Sequence, residues 1–147
     1  MPYFSHFFHL VFNTKYNTRS LTANLRSDLY AVMASKFTEM KCKLISINGV
    51  EDHCHILVSI HPSVSVSEVV QKVKLAASAF LKDHYPNCGF RGWKPGYASL
   101  TFDKSRLENL IKYVEDQEAH HLKKSFIDEL TTILADHGID YDPRFID

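Results

Sequence analysis

Residues 51–60 read EDHCHILVSI and place two histidines on either side of a cysteine. Successive side chains of a strand point to opposite faces, so His53 and His55 would stand side by side, with Cys54 and Ile56 facing a core. Two imidazoles on one face can hold one side of a divalent ion, and Glu51 and Asp52 adjoin them. A usable site needs at least one further ligand. The spacing by itself is weak, because nine histidines in 147 residues yield roughly 0.5 such pairs by chance. The plain alternative is one satisfied core histidine and one facing solvent.

Tyr113 and Gln117 form a second pair in KYVEDQEAHH. Four residues apart, they project from the same side of a helix, beside its apolar stripe, with His120 on nearly the same flank. They read either as a boundary tyrosine with a polar neighbour, or as a nucleophile and an amide oxygen that completes a metal shell. A phenol with a pKa of about 10 is ionised to about one part in a thousand at neutral pH, so populating the phenolate costs about 4 kcal/mol. A metal at a scissile phosphate would lower the barrier by drawing charge from a phosphoryl oxygen. That chemistry requires the histidines to lie near Tyr113.

The elements that must position these groups follow a definite order. FFHLVFN is aromatic and β-branched and reads as a first strand. Leu21, Leu25, Leu29, Val32, Met33, Phe37 and Met40 recur at helical spacing. KLISINGV alternates as a second strand and carries Asn48-Gly49, a turn signal; HCHILVSI makes a third. A second helix follows, with Ser65 and Glu68 spaced as a capping box, and GYASLTF is a fourth strand. The order β-α-β-β-α-β predicts an α+β, ferredoxin-like sheet with helices on one face and the first and third strands central. Beyond it, KSRLENLIKYVEDQEAHHLKK predicts one helix, with Ser105 and Glu108 as a capping box and Leu107, Leu110, Ile111 and Val114 as the stripe. A further short helix, SFIDELTTILADHG, should end at Gly138, before an irregular tail.

No repeat or flexible linker divides the chain, which reads as a single domain over residues 1–147. No apolar run approaches the roughly 18 residues of a membrane span. The N-terminus lacks a basic segment and a cleavage site, and three cysteines without a C-x-x-C pair fit a cytoplasmic protein with reduced thiols. The net charge of zero hides an asymmetry: residues 1–112 carry 14 basic and 8 acidic side chains, residues 113–147 carry 3 and 9. A basic body with an acidic C-terminal helix and tail, about residues 125–147, is compatible with a polyanion on one face, or with two solvated faces of opposite sign. NTKYNTR brings Lys15, Tyr16 and Arg19 together, and FRGWKPGY gathers Arg91, Trp93 and Lys94 around glycines. Both suit phosphate contact and base stacking, although each residue alone reads equally as surface or core edge. Lys72 and Lys74 add charge on the second helix.

These residues resemble a known family, the HUH-type single-tyrosine transposases of small bacterial insertion sequences, which include the REP-associated tyrosine transposases. DHCHILV looks like the family's histidine–hydrophobic–histidine motif, and YVEDQEAHH resembles its nucleophile helix. HLVFNTKY and GWKPGYASLTF also look like family sequence, in the same order. Each motif alone is unspecific; their joint order and spacing are not. The resemblance implies Tyr113 as nucleophile, and His53, His55 and Gln117 as ligands of Mg²⁺ or Mn²⁺. It implies cleavage of single-stranded DNA near hairpins through a 5′-phosphotyrosine, followed by strand joining. It also implies a homodimer in which one subunit's tyrosine helix completes its partner's site. Cys54 stands in the hydrophobic place of the motif. Two imidazoles and one amide oxygen suit Mn²⁺ at least as well as oxygen-preferring Mg²⁺.

Two other readings use the same residues. A non-catalytic nucleic-acid-binding or dimerisation module would use Tyr113 and Gln117 as interface groups and bind no metal. A metal-dependent hydrolase would use water as nucleophile and tolerate Tyr113→Phe.

Overall fold

Alternation along β1 (Phe7–Asn13) and β3 (His53–Ser59) divides the sheet into two faces. The computed structural model describes residues 1–146. In it these strands pair antiparallel over their whole length, from Phe7 opposite Ser59 to Asn13 opposite His53. Leu10, Phe12, Cys54, Ile56 and Val58 are fully buried on one face. Against them pack α1 (Ala23–Glu39), through Leu25, Leu29, Met33 and Phe37, and α2 (Val66–His84), through Val69, Val73, Ala77 and Leu81. Cys54 therefore fills the hydrophobic place of its motif as a core residue. Burial pushes its thiol up to about 12, which keeps it a neutral apolar group.

β2 (Lys43–Gly49) and β4 (Ala98–Thr101) complete a four-stranded antiparallel sheet of order β2-β3-β1-β4. The ferredoxin-like order is as expected, with the histidine strand central. Asn48 and Gly49 do not form the turn. They end β2 opposite His55 and Cys54, and the chain reverses over residues 50–52. Glycine is needed there because a Cβ would lie 2.1 Å from the His53 carbonyl oxygen. This close approach lets β2 run to the rim of the site.

The second face carries His9, Val11, His53, His55 and Leu57 and is closed by the C-terminal helices. The single helix expected after β4 is divided. A 3₁₀ turn, Lys104–Arg106, leads into α3 (Leu107–Glu115); the backbone departs from helix at Asp116 (φ −91°, ψ 17°), and α4 (Gln117–His121) follows. The start is not capped by Ser105. The Asp103 carboxylate accepts from the Ser105 N–H at 3.1 Å, two residues earlier, because an ionised acceptor competes well for the first free amide. At Ser65 the expected cap forms, accepting from the Glu68 N–H at 3.2 Å. α5 (Phe126–Asp136) begins with Ser125 accepting from the Asp128 N–H and stops at Gly138, whose φ of 66° is left-handed. The tail contains one 3₁₀ turn, Pro143–Phe145.

Candidate active site

The two histidines of β3 are both fully buried and point their Nε2 atoms at one carboxylate, that of Glu129 on α5. His55 Nε2 lies 2.9 Å and His53 Nε2 3.2 Å from Glu129 Oε1, and His121 Nε2 on α4 lies 2.9 Å from the same oxygen. The outer nitrogens are also held. Asp52 Oδ1 is 2.7 Å from His53 Nδ1, and His9 Nε2 is 2.8 Å from His55 Nδ1. Each ring is therefore oriented by a partner behind it, as the rings of ligating histidines usually are.

Tyr113 reaches the other side of that carboxylate. Its hydroxyl donates to Glu129 Oε2, and its ring centroid lies 5.6 Å from that of His55 in an edge-on arrangement. The Gln117 amide donates to Glu129 Oε2 at 3.2 Å and to the Tyr113 carbonyl at 3.3 Å. Its Oε1 consequently faces His53 Nε2, also at 3.2 Å. The four residues singled out for chemistry thus converge within one chain, with Tyr113 at its own chain's histidines. His120 stands at the edge: its Nε2 is 3.4 Å from Glu129 Oε2 yet is buried without a hydrogen bond.

Electrostatics follow from this crowding. Burial alone would raise the Glu129 carboxyl, but hydrogen bonds from His121, His53 and His55 outweigh it and hold the group far below the usual carboxylate range. Burial would lower His53, yet its bonds to Asp52 and Glu129 raise it above its ordinary value. Burial lowers His55 despite Glu129, and lowers His9 to about 3, leaving it neutral. Burial, then the bond to Glu129, pushes the Tyr113 phenol well above its ordinary value, so the resting phenol keeps its proton. The ligand atoms of His53, His55, His121 and Glu129 all lie within 4.8 Å of one another, a donor set that fits a divalent ion.

Three contributors escaped sequence reading. His121 continues the helical stripe Tyr113, Gln117 at the next i+4 step. Glu129 interrupts an apolar stripe, standing beside Phe126, Leu130 and Ile133 at helical spacing, and this placement was its signal. His9 had none beyond alternation with β1 neighbours. Asn48 has an additional role: its amide donates to the Val114 and Glu115 carbonyls, both at 3.0 Å, and so caps the end of α3 that bears Tyr113.

The basic loops meet at the sheet end that bears His53. The Lys15 N–H donates to the Gly92 carbonyl at 2.8 Å, and Thr14 bridges Trp93. Tyr16 is 72% exposed in a left-handed conformation (φ 60°), with Arg91 5.8 Å and Lys15 5.4 Å from its ring centroid. Trp93, by contrast, is buried against Phe12 and Phe90 and serves the core. Lys74 is a strut, donating to the Lys94 carbonyl at 3.1 Å, and Lys72 pairs with Glu68 at 3.0 Å. Arg19 pairs with Glu51 at 3.1 Å. Among the described residues no helix is long and apolar enough to cross a membrane.

Known proteins are similar to this chain in sequence and in fold. A family model described as "Transposase IS200 like" matches residues 2–117. The ISDra2 transposase TnpA of Deinococcus radiodurans is 24% identical over 115 residues, covering 75% of this chain and 82% of that protein. A crystal structure of a putative transposase from Deinococcus radiodurans R1 superposes with a TM-score of 0.63 at 22% identity, over 80% of this chain and 95% of that one. The structure of a REP-associated tyrosine transposase bound to a REP hairpin gives a TM-score of 0.60 at 12% identity, over 82% and 72%.

Proposed function

The chain belongs to the IS200-like transposase family, and from that premise we propose that it is a metal-dependent transposase acting on single-stranded DNA, with Tyr113 as its nucleophile. The observation that carries this reading is the shared carboxylate: the Tyr113 hydroxyl and the Nε2 atoms of His53 and His55 meet on Glu129. In that arrangement a phosphate could meet both the nucleophile and the pair of metal donors. His53, His55 and the Gln117 amide oxygen would hold Mg²⁺ or Mn²⁺. A bound divalent ion supplies Lewis-acid stabilisation of charge on the phosphoryl oxygens.

The chain's own residues supply the rest. The Tyr113 oxygen forms a bond to phosphorus while the P–O3′ bond breaks. Glu129 Oε2 holds the hydroxyl in place; the phenol proton passes to solvent as the bond to phosphorus forms, and the departing 3′ oxygen takes one from solvent. The product is a 5′-phosphotyrosine and a free 3′-hydroxyl. Attack by a second 3′-hydroxyl reverses these bond changes, restores a phosphodiester and returns a proton to Tyr113. Each step conserves one phosphoester, so no nucleotide cofactor is required.

A DNA hairpin is the substrate in this reading. It is supported by the REP hairpin bound to the REP-associated tyrosine transposase, whose fold this chain shares. Lys15, Arg19, Arg91 and Lys94 would contact phosphates and Tyr16 would stack on a base, while Trp93 anchors the loop from below. Homodimerisation belongs to the same reading. In a homodimer with shared active sites, the helix that bears Tyr113 would complete the histidine site of the partner subunit.

The test is incubation with Mn²⁺ and labelled single-stranded hairpin DNAs, including the sequence flanking the gene, followed by denaturing electrophoresis. A covalent protein–DNA adduct that disappears in Tyr113→Phe is the expected result. Binding without an adduct would favour the non-catalytic module, and cleavage retained by Tyr113→Phe would indicate hydrolysis.

A further inference from the structure

We infer that this chain closes its metal centre with two further ligands, His121 and Glu129, and that the completed set takes a first-row transition ion in preference to Mg²⁺. The inference rests on the proposed reading of His53 and His55 as a metal site and deepens it.

Four ligand atoms, one from each of these residues, lie within 4.8 Å of one another. They come from three elements, β3, α4 and α5, so tertiary packing alone brings them together. His53, His55 and Glu129 are all but fully buried. A carboxylate at such a depth costs several kcal/mol unless its charge is compensated. Here three imidazole nitrogens supply that compensation by direct hydrogen bonds to one oxygen, and the same four groups are close enough to turn their donor atoms onto a shared cation instead. The support behind the ligands is complete as well: Asp52 backs His53, His9 backs His55, and Gln117 donates to Glu129 Oε2. Phe126, whose ring centroid lies 4.3 Å from that of His53, anchors α5 over the site.

His121 and Glu129 lie beyond residue 117, where the match to the family model ends. The C-terminal helices of this chain thus convert a two-histidine half-site into an enclosed centre. The donor chemistry then chooses the ion. Mg²⁺ asks for oxygen ligands and retains water, whereas imidazole favours transition ions and carboxylate accepts both classes. Three imidazoles with a single carboxylate belong to the transition-ion group. Glu129 also sets the spacing between ion and nucleophile, since its second oxygen carries the Tyr113 hydroxyl.

The test is Mn²⁺ binding by the full chain, followed by electron paramagnetic resonance, with Mg²⁺ as competitor. The expected result is one Mn²⁺ per chain, retained against about a hundredfold excess of Mg²⁺, with nitrogen couplings from three imidazoles. Glu129→Gln and His121→Asn should each weaken binding by at least about 10-fold, and His121→Asn should remove one imidazole coupling. Exposed His84→Asn should change nothing. If either site variant fails to fold, the count of coupled imidazoles in the unmodified protein decides: three supports the centre, two overturns it. Unchanged affinity in both folded variants, or displacement by equimolar Mg²⁺, would overturn it too. If His53→Ala still abolishes binding in that case, the proposed function stands without the two added ligands. If the unmodified protein binds no metal, both readings fall.

Discussion

His9 and His55 meet nitrogen to nitrogen, with Nε2 of His9 2.8 Å from Nδ1 of His55 inside the sheet. A neutral imidazole carries one ring proton, so this contact sets which nitrogen of His55 is left as a donor or an acceptor. While His55 Nε2 donates to Glu129, its Nδ1 accepts from His9. Were Nε2 to ligate an ion, the proton would have to sit on Nδ1 and point back at His9. The pair can switch tautomer without moving either ring.

His9→Phe removes that partner and should weaken Mn²⁺ binding by about 10–100-fold, the range for groups that support a ligand. His9→Gln keeps a polar side chain at the position and should recover part of the loss. Calorimetric titration of the two variants checks this. Equal affinity in the unmodified protein and His9→Phe would remove His9 from the site.

Asn48→Ala should loosen the end of α3. The Val114 and Glu115 carbonyls lose their side-chain donor, at a cost of about 1 kcal/mol in urea unfolding. DNA-adduct formation should fall further than stability does, because the loosened turn carries Tyr113 and Gln117. Comparing unfolding midpoints with single-turnover adduct yields separates the two effects.

Gly49→Ala places a methyl group 2.1 Å from the His53 carbonyl oxygen, where the atoms opposite are backbone and cannot swing aside. Destabilisation of about 1–3 kcal/mol in urea unfolding is expected. Because the displaced strand bears the histidines, metal affinity should fall with it. Gly89→Ala is the contrast: no atom lies within 4 Å of its added Cβ, so its cost arises only from a φ of 91°.

Cys54 should resist maleimide in the native protein at neutral pH, since burial pushes its thiol up to about 12 and leaves it no exposed surface. Cys42 is also buried and its thiol raised, whereas Cys88 is only half-buried. Mass spectrometry should find Cys88 labelled first, and all three cysteines only after denaturation. Rapid native labelling of Cys54 would show that its side chain leaves the core face of β3.

What could be read from the chain alone were properties of short stretches. Alternation put His53 and His55 on one face and Cys54 on the other, and an i+4 spacing put Tyr113 and Gln117 together. Ser65 announced one helix start, and the order of periodicities announced the ferredoxin-like sheet. These inferences need only the local geometry of strand and helix. Contacts between faces were another matter. Glu129 meets His55 across 74 residues and His9 meets it across 46, and no local period encodes such a meeting. In sequence Glu129 looked like one more charge in an acidic tail, and Trp93 read either as a base-stacking residue or as a core edge. Packing decided both. Phe126 seats α5 on the histidine face, which buries Glu129 among imidazoles, and Phe12 and Phe90 draw Trp93 inward. The residue types and their local faces were therefore written in the sequence. The partner each face would bury was decided only when the helices closed over the sheet, because apolar burial acts on whole surfaces and is indifferent to distance along the chain.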